Sequence, residues 1–190
     1  KNLPAMKTSF KLSILAAAVF SHTSALYPAN VTWDGTSDMI WSQPDSTSWS
    51  GSTYVLGDTA LFTGSGTGTI TIGAAGVTPG QVNFSAGSYT FSGGMIGGSG
   101  GITQGGAGTV TLLAANSYTG ATTITAGVLN IQNAASLGTT ASGTNVSGGA
   151  ALQMQGGINV TGESLIFSGA SRSGIAGLRN ISGNNTWNGS

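Results

Sequence analysis

Between residues 58 and 167 the sequence repeats one kind of unit: three or four residues of alternating apolar and polar side chains, mostly hydroxyls, closed off by Gly, Asn or Ser. The units read TITI at Thr69–Ile72, QVNF at Gln81–Phe84, SYTF at Ser88–Phe91, TVTL at Thr109–Leu112, TTIT at Thr122–Thr125 and LNI at Leu129–Ile131. ALQM at Ala151–Met154, INV at Ile158–Val160 and LIF at Leu165–Phe167 continue the series. Alternation with period two places successive side chains on opposite faces, so each unit is a half-buried strand. Helical periodicity is almost absent. Every unit is far below the ~9–11 residues of a transmembrane β-strand, which excludes an outer-membrane barrel built from this segment. The 39% hydrophobic content supplies a core, and the absence of Cys excludes a disulfide framework. The 33 glycines have no every-third spacing, which excludes collagen, and mark many tight turns instead. A β-sandwich and a β-solenoid remain.

Internal repeats favour the solenoid. Ala126–Gln132 (AGVLNIQ) aligns with Gly149–Gln155 (GAALQMQ) at an offset of 23, placing Leu129 on Leu152 and Ile131 on Met154. Leu112, Asn116, Tyr118 and Gly120 align with Ile181, Asn185, Trp187 and Gly189 at an offset of 69, three times as long. A shared unit of this size belongs to architectures in which each coil buries its apolar row only against its neighbours. The expected fold is all-β, a right-handed parallel β-helix (β-solenoid) with about 23-residue coils. With strands ~4.7–4.9 Å apart, residues 58–190 would make roughly five or six coils.

Charge is unevenly placed. All three lysines lie in the first eleven residues, ahead of an apolar run from Leu12 to Phe20 and the small residues Ser24 and Ala25. This is the pattern of a secretory signal peptide in a leader of residues 1–25, with Met6 as the start. The remainder carries Arg172 and Arg179 against Asp34, Asp38, Asp45, Asp58 and Glu163, a net charge of −3. Without a basic patch there is nothing to neutralise a nucleic-acid backbone or an anionic lipid surface. The expected domains are the leader, a Trp-rich entry or cap at 26–57, and the repeat region at 58–190.

The segment Gly100–Gly138 resembles the passenger-associated strand repeat of bacterial autotransporters. Gly106–Thr109 (GAGT), Asn116–Gly120 (NSYTG) and Ala126–Leu129 (AGVL) carry the family's pattern. The family's Lys-Thr-Gly before the first of these is Gln104, Gly105, Gly106 here, which removes a charge. Weaker likeness extends over most of residues 30–190. The resemblance implies a secreted or surface-displayed β-helical passenger, with roles in adhesion, aggregation or biofilm formation. It also implies partners in the secretion machinery, surface glycans or other cells. Ser190 follows the Asn-x-Trp-x-Gly turn, where a further strand is expected, and a C-terminal translocator or anchor is expected beyond it.

Several features could carry function. Trp33, Trp41 and Trp49 recur every eight residues, and would either stack on a glycan or shield the end of the solenoid. Asp34, Asp38 and Asp45 match no calcium-loop spacing and read as solvated loop carboxylates. The Thr-x-Thr pairs at Thr69/Thr71, Thr109/Thr111 and Thr123/Thr125 would form a flat matching face if stacked, and β-propensity accounts for them equally well. Tyr118 and Trp187 should pack at one corner beside Asn116 and Asn185, whose amides could stack as a ladder.

Catalytic machinery is not expected. His22 falls in the leader, and beyond it there is no His, Lys or Cys for nucleophilic or metal chemistry. Glu163 and Arg172 read as a surface ion pair, and GGSGG at Gly97–Gly101 lacks the lysine of a phosphate loop. No catalytic residue, metal or cofactor is assigned. A structural stalk is the leading expectation, with a carbohydrate-binding module at the Trp-rich entry as the alternative.

Overall fold

A computed structural model describes residues 28–45, 47–169 and 177–190, and among them there are seventeen strands and no helix. The leader lies outside the described residues. Successive strands alternate between two long sheets. The first sheet runs from Asn30–Trp33 through Thr59–Thr63, Gln81–Ala86, Ile102–Gln104, Thr122–Ile124 and Thr144–Ser147 to Leu165–Ser168. The second runs from Ile40–Trp41 through Gly68–Ile72, Tyr89–Gly93, Thr109–Leu112, Val128–Ile131 and Ala151–Gln155 to Gly177–Ser182. Along both sheets these neighbours pair in parallel, one turn of chain apart, which makes a parallel β-solenoid of about five turns. A third side is closed mainly by single backbone bonds between turns, such as Ser117 N–H to Ile96 O and Thr139 N–H to Tyr118 O. It becomes regular only where Asn159–Thr161 pairs with Thr186–Asn188.

Alternation determines the interior. In Thr109–Leu112, Val110 and Leu112 are buried while both threonines are partly exposed. Stacking in register converts each inward position into a column. One column runs Ile70, Phe91, Leu112, Ile131, Met154 and a second Tyr89, Val110, Leu129, Leu152. On the first sheet Phe62, Phe84, Gln104, Ile124 and Val146 form a third. Each large apolar side chain so buried contributes about 1.5–3 kcal/mol, and only because its neighbours above and below exclude water.

Coil length is not constant. Leu129 pairs with Leu152, the 23-residue step read from the sequence. Val110 to Leu129 is only 19 residues and Leu152 to Leu178 is 26, around an average of about 22. Extra residues accumulate where the chain leaves the sheets, as between Ile131 and Thr144, and register along the ladders shifts only at single-residue bulges among the described residues, after Phe84 and after Asn180.

The entry region is continuous with the solenoid. Asn30–Trp33 pairs in parallel with Thr59–Thr63, and on its other edge Trp49–Ser50 pairs with it antiparallel. That reversed strand covers a sheet edge that would otherwise present unpaired backbone groups.

Candidate functional site

The three entry tryptophans alternate into the core rather than onto the surface. Trp33 and Trp41 are fully buried and Trp49 is 3% exposed. Trp33 and Trp49 sit directly opposite each other across the antiparallel pair, edge to face at 5.2 Å. Trp49 stacks on Tyr54 at 4.7 Å, and Phe62 meets all three indoles at 5.6–5.8 Å. A sugar ring needs an open aromatic face, and these rings offer none. Apolar burial with favourable ring geometry makes this cluster a plug on the end of the core.

The entry carboxylates are occupied locally. Asp34 accepts from the N–H and hydroxyl of Thr36 and from Ser50, and Asp38 from the Ile40 N–H and Ser48. The backbone donors Thr36 and Ile40 hold the respective carboxyls below the usual range. Asp45 is buried, not solvated as expected, and accepts from the N–H and hydroxyl of Thr47. Among the described residues no three potential ligands gather for a metal. Asp58, which the sequence did not single out, is buried and joins entry to solenoid by accepting from Ala29 N–H and Val55 N–H, both at 2.8 Å.

At the third-side corner, Asn116 bridges turns. Its Oδ1 accepts from Ile96 N–H at 2.9 Å and its Nδ2 donates to Ser136 O at 2.7 Å. Asn185 repeats half of this arrangement, with Oδ1 accepting from Ile158 N–H at 2.8 Å. No asparagine ladder joins the two: the Asn116 amide is spent on backbone of adjoining turns, and the Asn185 Nδ2 donates to Asn180 Oδ1 at 2.6 Å and to Ser182 O and Met154 O. Tyr118 is buried with its hydroxyl 2.7 Å from Thr122 Oγ1, and Trp187 packs partly buried opposite Val160. Gly120 lies against the Gly100 carbonyl and Gly189 against the Glu163 carbonyl, where any Cβ would collide with backbone. Ile181 departs from its alignment with Leu112. The register runs Leu112, Ile131, Met154, Asn180, and Ile181 is the extra residue of a bulge between Asn180 and Ser182, on a strand that is exposed along most of its length.

Two polar side chains enter the core unannounced by any motif. Gln104 stands between Phe84 and Ile124, and its Nε2 donates to Gly106 O at 2.9 Å and Gly108 O at 3.0 Å, holding the turn from inside. Its Oε1 has no partner. Ile102-x-Gln104 is in phase with the inward positions, and that phase was the available signal. Glu163, expected at the surface with Arg172, is instead 3% exposed, and Arg172 lies outside the described residues. The Thr144 hydroxyl donates to its Oε1 at 2.8 Å, and burial pushes its carboxyl pKa up. Glu163 also lines a groove of about 400 Å³ with Leu137, Thr139, Thr140, Asn159 and Thr161.

The outer surface of the second sheet carries Thr69, Thr90 and Thr111 in one register row, continued by Asn130, Gln153 and Arg179. Thr123 lies on the other sheet, so the Thr-x-Thr pairs do not share a plane. What the named groups supply together is inter-turn hydrogen bonding and enclosed aromatic surface.

Residues 102–131 match the family described as passenger-associated-transport-repeat. They span a little more than one turn of the solenoid, with the Asn116–Gly120 corner in the middle. No curated protein and no solved structure gives a significant match to the chain.

Proposed function

From a chain whose repeat and parallel β-solenoid fit an autotransporter passenger repeat protein, we propose that this segment is a non-enzymatic stalk of a secreted or surface-displayed protein. The observation that carries the proposal is the continuity of the two ladders. Neighbouring turns are tied on two sides by in-register parallel strands, so bending or opening the rod breaks many backbone hydrogen bonds together. Such a rod holds other parts of a longer polypeptide away from a surface, in support of adhesion or biofilm formation. Residues 1–25 would address it to the export machinery. Interior polar groups such as Asn116, Ser136 and the Thr144–Glu163 pair bond from turn to turn, which suits a mechanical role.

The test compares cells displaying the full protein with cells in which one whole turn, residues 102–121, is deleted in phase. A stalk that acts by presentation keeps its surface display and its resistance to proteolysis, and attachment changes with reach. Loss of attachment with unchanged display and length, after substitutions confined to the groove of Glu163, would show instead that the segment binds or acts on a ligand itself.

A further inference from the structure

Asn-x-Ser/Thr tripeptides are the acceptor pattern for sugars linked to asparagine, provided the middle residue is not Pro. Seven of the eleven asparagines among the described residues lie in one. Four have the form of a strand: Asn30-Val31-Thr32, Asn83-Phe84-Ser85, Asn145-Val146-Ser147 and Asn159-Val160-Thr161. The others begin at Asn180, Asn184 and Asn188. In the four strand tripeptides the middle residue is buried, so the amide and the hydroxyl two positions on project together from the outer surface.

Alternation alone would place polar residues at such spacing, but it does not explain how the asparagines divide. The four outside the pattern spend their side chains within the molecule. Asn116 and Asn185 bridge turns, Asn130 lies in an amide cluster with Gln132 and Gln153, and Asn133 accepts from Ala135 N–H. Of the seven inside the pattern, Asn180 and Asn188 donate to Gly183 O and Asn159 Oδ1. Asn30, Asn83, Asn145 and Asn184 make no side-chain hydrogen bond to another described residue, and Asn159 only accepts that one; the amide nitrogens of these five are uncommitted, and all five are partly or fully exposed.

We infer that these outward tripeptides are acceptor sites for N-linked sugars, added by a glycosyltransferase from a donor activated on a phosphate. The asparagine Nδ2 forms a bond to the sugar C1 as the C1–O bond to phosphate breaks; the phosphate leaves with the electron pair and the amide gives up one proton to solvent. Asn83 lies on an inner strand between Leu61 and Thr103, where an enzyme cannot surround the tripeptide. Addition at that position therefore precedes closure of the turn, and the finished fold accepts the product because the amide points outward.

The experiment is fragmentation mass spectrometry of peptides from the full protein recovered from its own cells. Sugar is expected on asparagine in one or more of the seven tripeptides and on none of Asn116, Asn130, Asn133 and Asn185. At a modified tripeptide, for example Asn145, both Asn145→Gln and Ser147→Ala should abolish the modification entirely. The peptides are read after denaturation, so a folding defect does not mask the result. Seven bare tripeptides would overturn the inference. So would a sugar that survives Asn145→Gln and vanishes with Ser147→Ala, since it would be carried by the hydroxyl.

Discussion

The Thr144 hydroxyl donates to Oε1 of Glu163 across 2.8 Å inside the solenoid, one turn beyond the bond between Tyr118 and Thr122. Thr122 and Thr144 are register neighbours, so the two bonds form a short polar seam through an otherwise apolar interior. Burial raises the Glu163 pKa above its ordinary 4.5. Below that pH the group is protonated both folded and unfolded, and the raised value adds its full stability relative to higher pH. As pH rises the unfolded chain ionises first, so stability falls until the folded pKa has been passed. Glu163→Gln, which can still accept from Thr144, should abolish this loss. Melting temperatures of both proteins from pH 4 to 8 should diverge upward in pH, with the variant the more stable near neutrality. Parallel curves would show that Glu163 is ionised at no cost.

Gln104 serves two carbonyls while leaving its own oxygen unpaired. Gln104→Leu removes the orphan but strips both carbonyls of their donor, and should cost about 1–3 kcal/mol. Gln104→Glu places an acceptor against acceptors in a buried site and should cost more. Gln104→Lys supplies three donors and no acceptor and should be the mildest of the three. Denaturant midpoints decide the order.

Leu112 and Ile181, which the sequence made equivalent, are separated by the register, since Asn180 stands at the position of Leu112 three turns on and Ile181 is the extra residue of a bulge. Leu112→Ala opens a cavity in the central column and should destabilise by about 2–5 kcal/mol. Ile181→Ser changes an exposed side chain and should stay within about 0.5 kcal/mol of the parent. Equal losses in chemical denaturation would place Ile181 in the core after all.

Tyr54 is buried in the entry plug, where its hydroxyl has no well-formed hydrogen bond and the Trp41 indole N–H is the group placed to interact with it. Burial, aided by the nearby Asp58 carboxylate, pushes its pKa up. Tyr54→Phe keeps the ring stacked on Trp49 and removes the unpaired group, so stability should be unchanged or higher by up to about 1 kcal/mol. Tyr54→Ala removes the ring as well and should cost about 3–5 kcal/mol, by analogy with loss of a buried Phe or Trp. A comparable loss from Tyr54→Phe would reveal a hydroxyl contact that matters.

The parallel coil was legible because its signals are local and repeated. Leu129, Ile131, Leu152 and Met154 show both the period of a strand and the length of a turn, and the ladder joins them as the alignment does. The Trp-rich entry was visible as a feature but ambiguous in meaning. Period two states which residues share a face, while the antiparallel strand at Trp49–Ser50 decides which face is enclosed. The bulge at Ile181 was invisible, since one inserted residue alters no composition and weakens no hydrophobic pattern. Glu163 read as a surface charge because a carboxylate in a Gly-rich turn is usually solvated, and only Thr144, 19 positions earlier, makes its burial tolerable.

Apart from single-residue bulges at Ser85 and Ile181, turn length varies where the chain leaves its sheets, and this gives the molecule two rates of evolutionary change. Insertion of one residue within Thr122–Ile124 would reverse every following side chain in that strand between core and surface. Insertion between Ile131 and Thr144 alters nothing in either ladder. Descendants of this sequence can therefore drift freely in loop length while their strands stay nearly fixed, and new surface decoration can be acquired one corner at a time without rebuilding the rod.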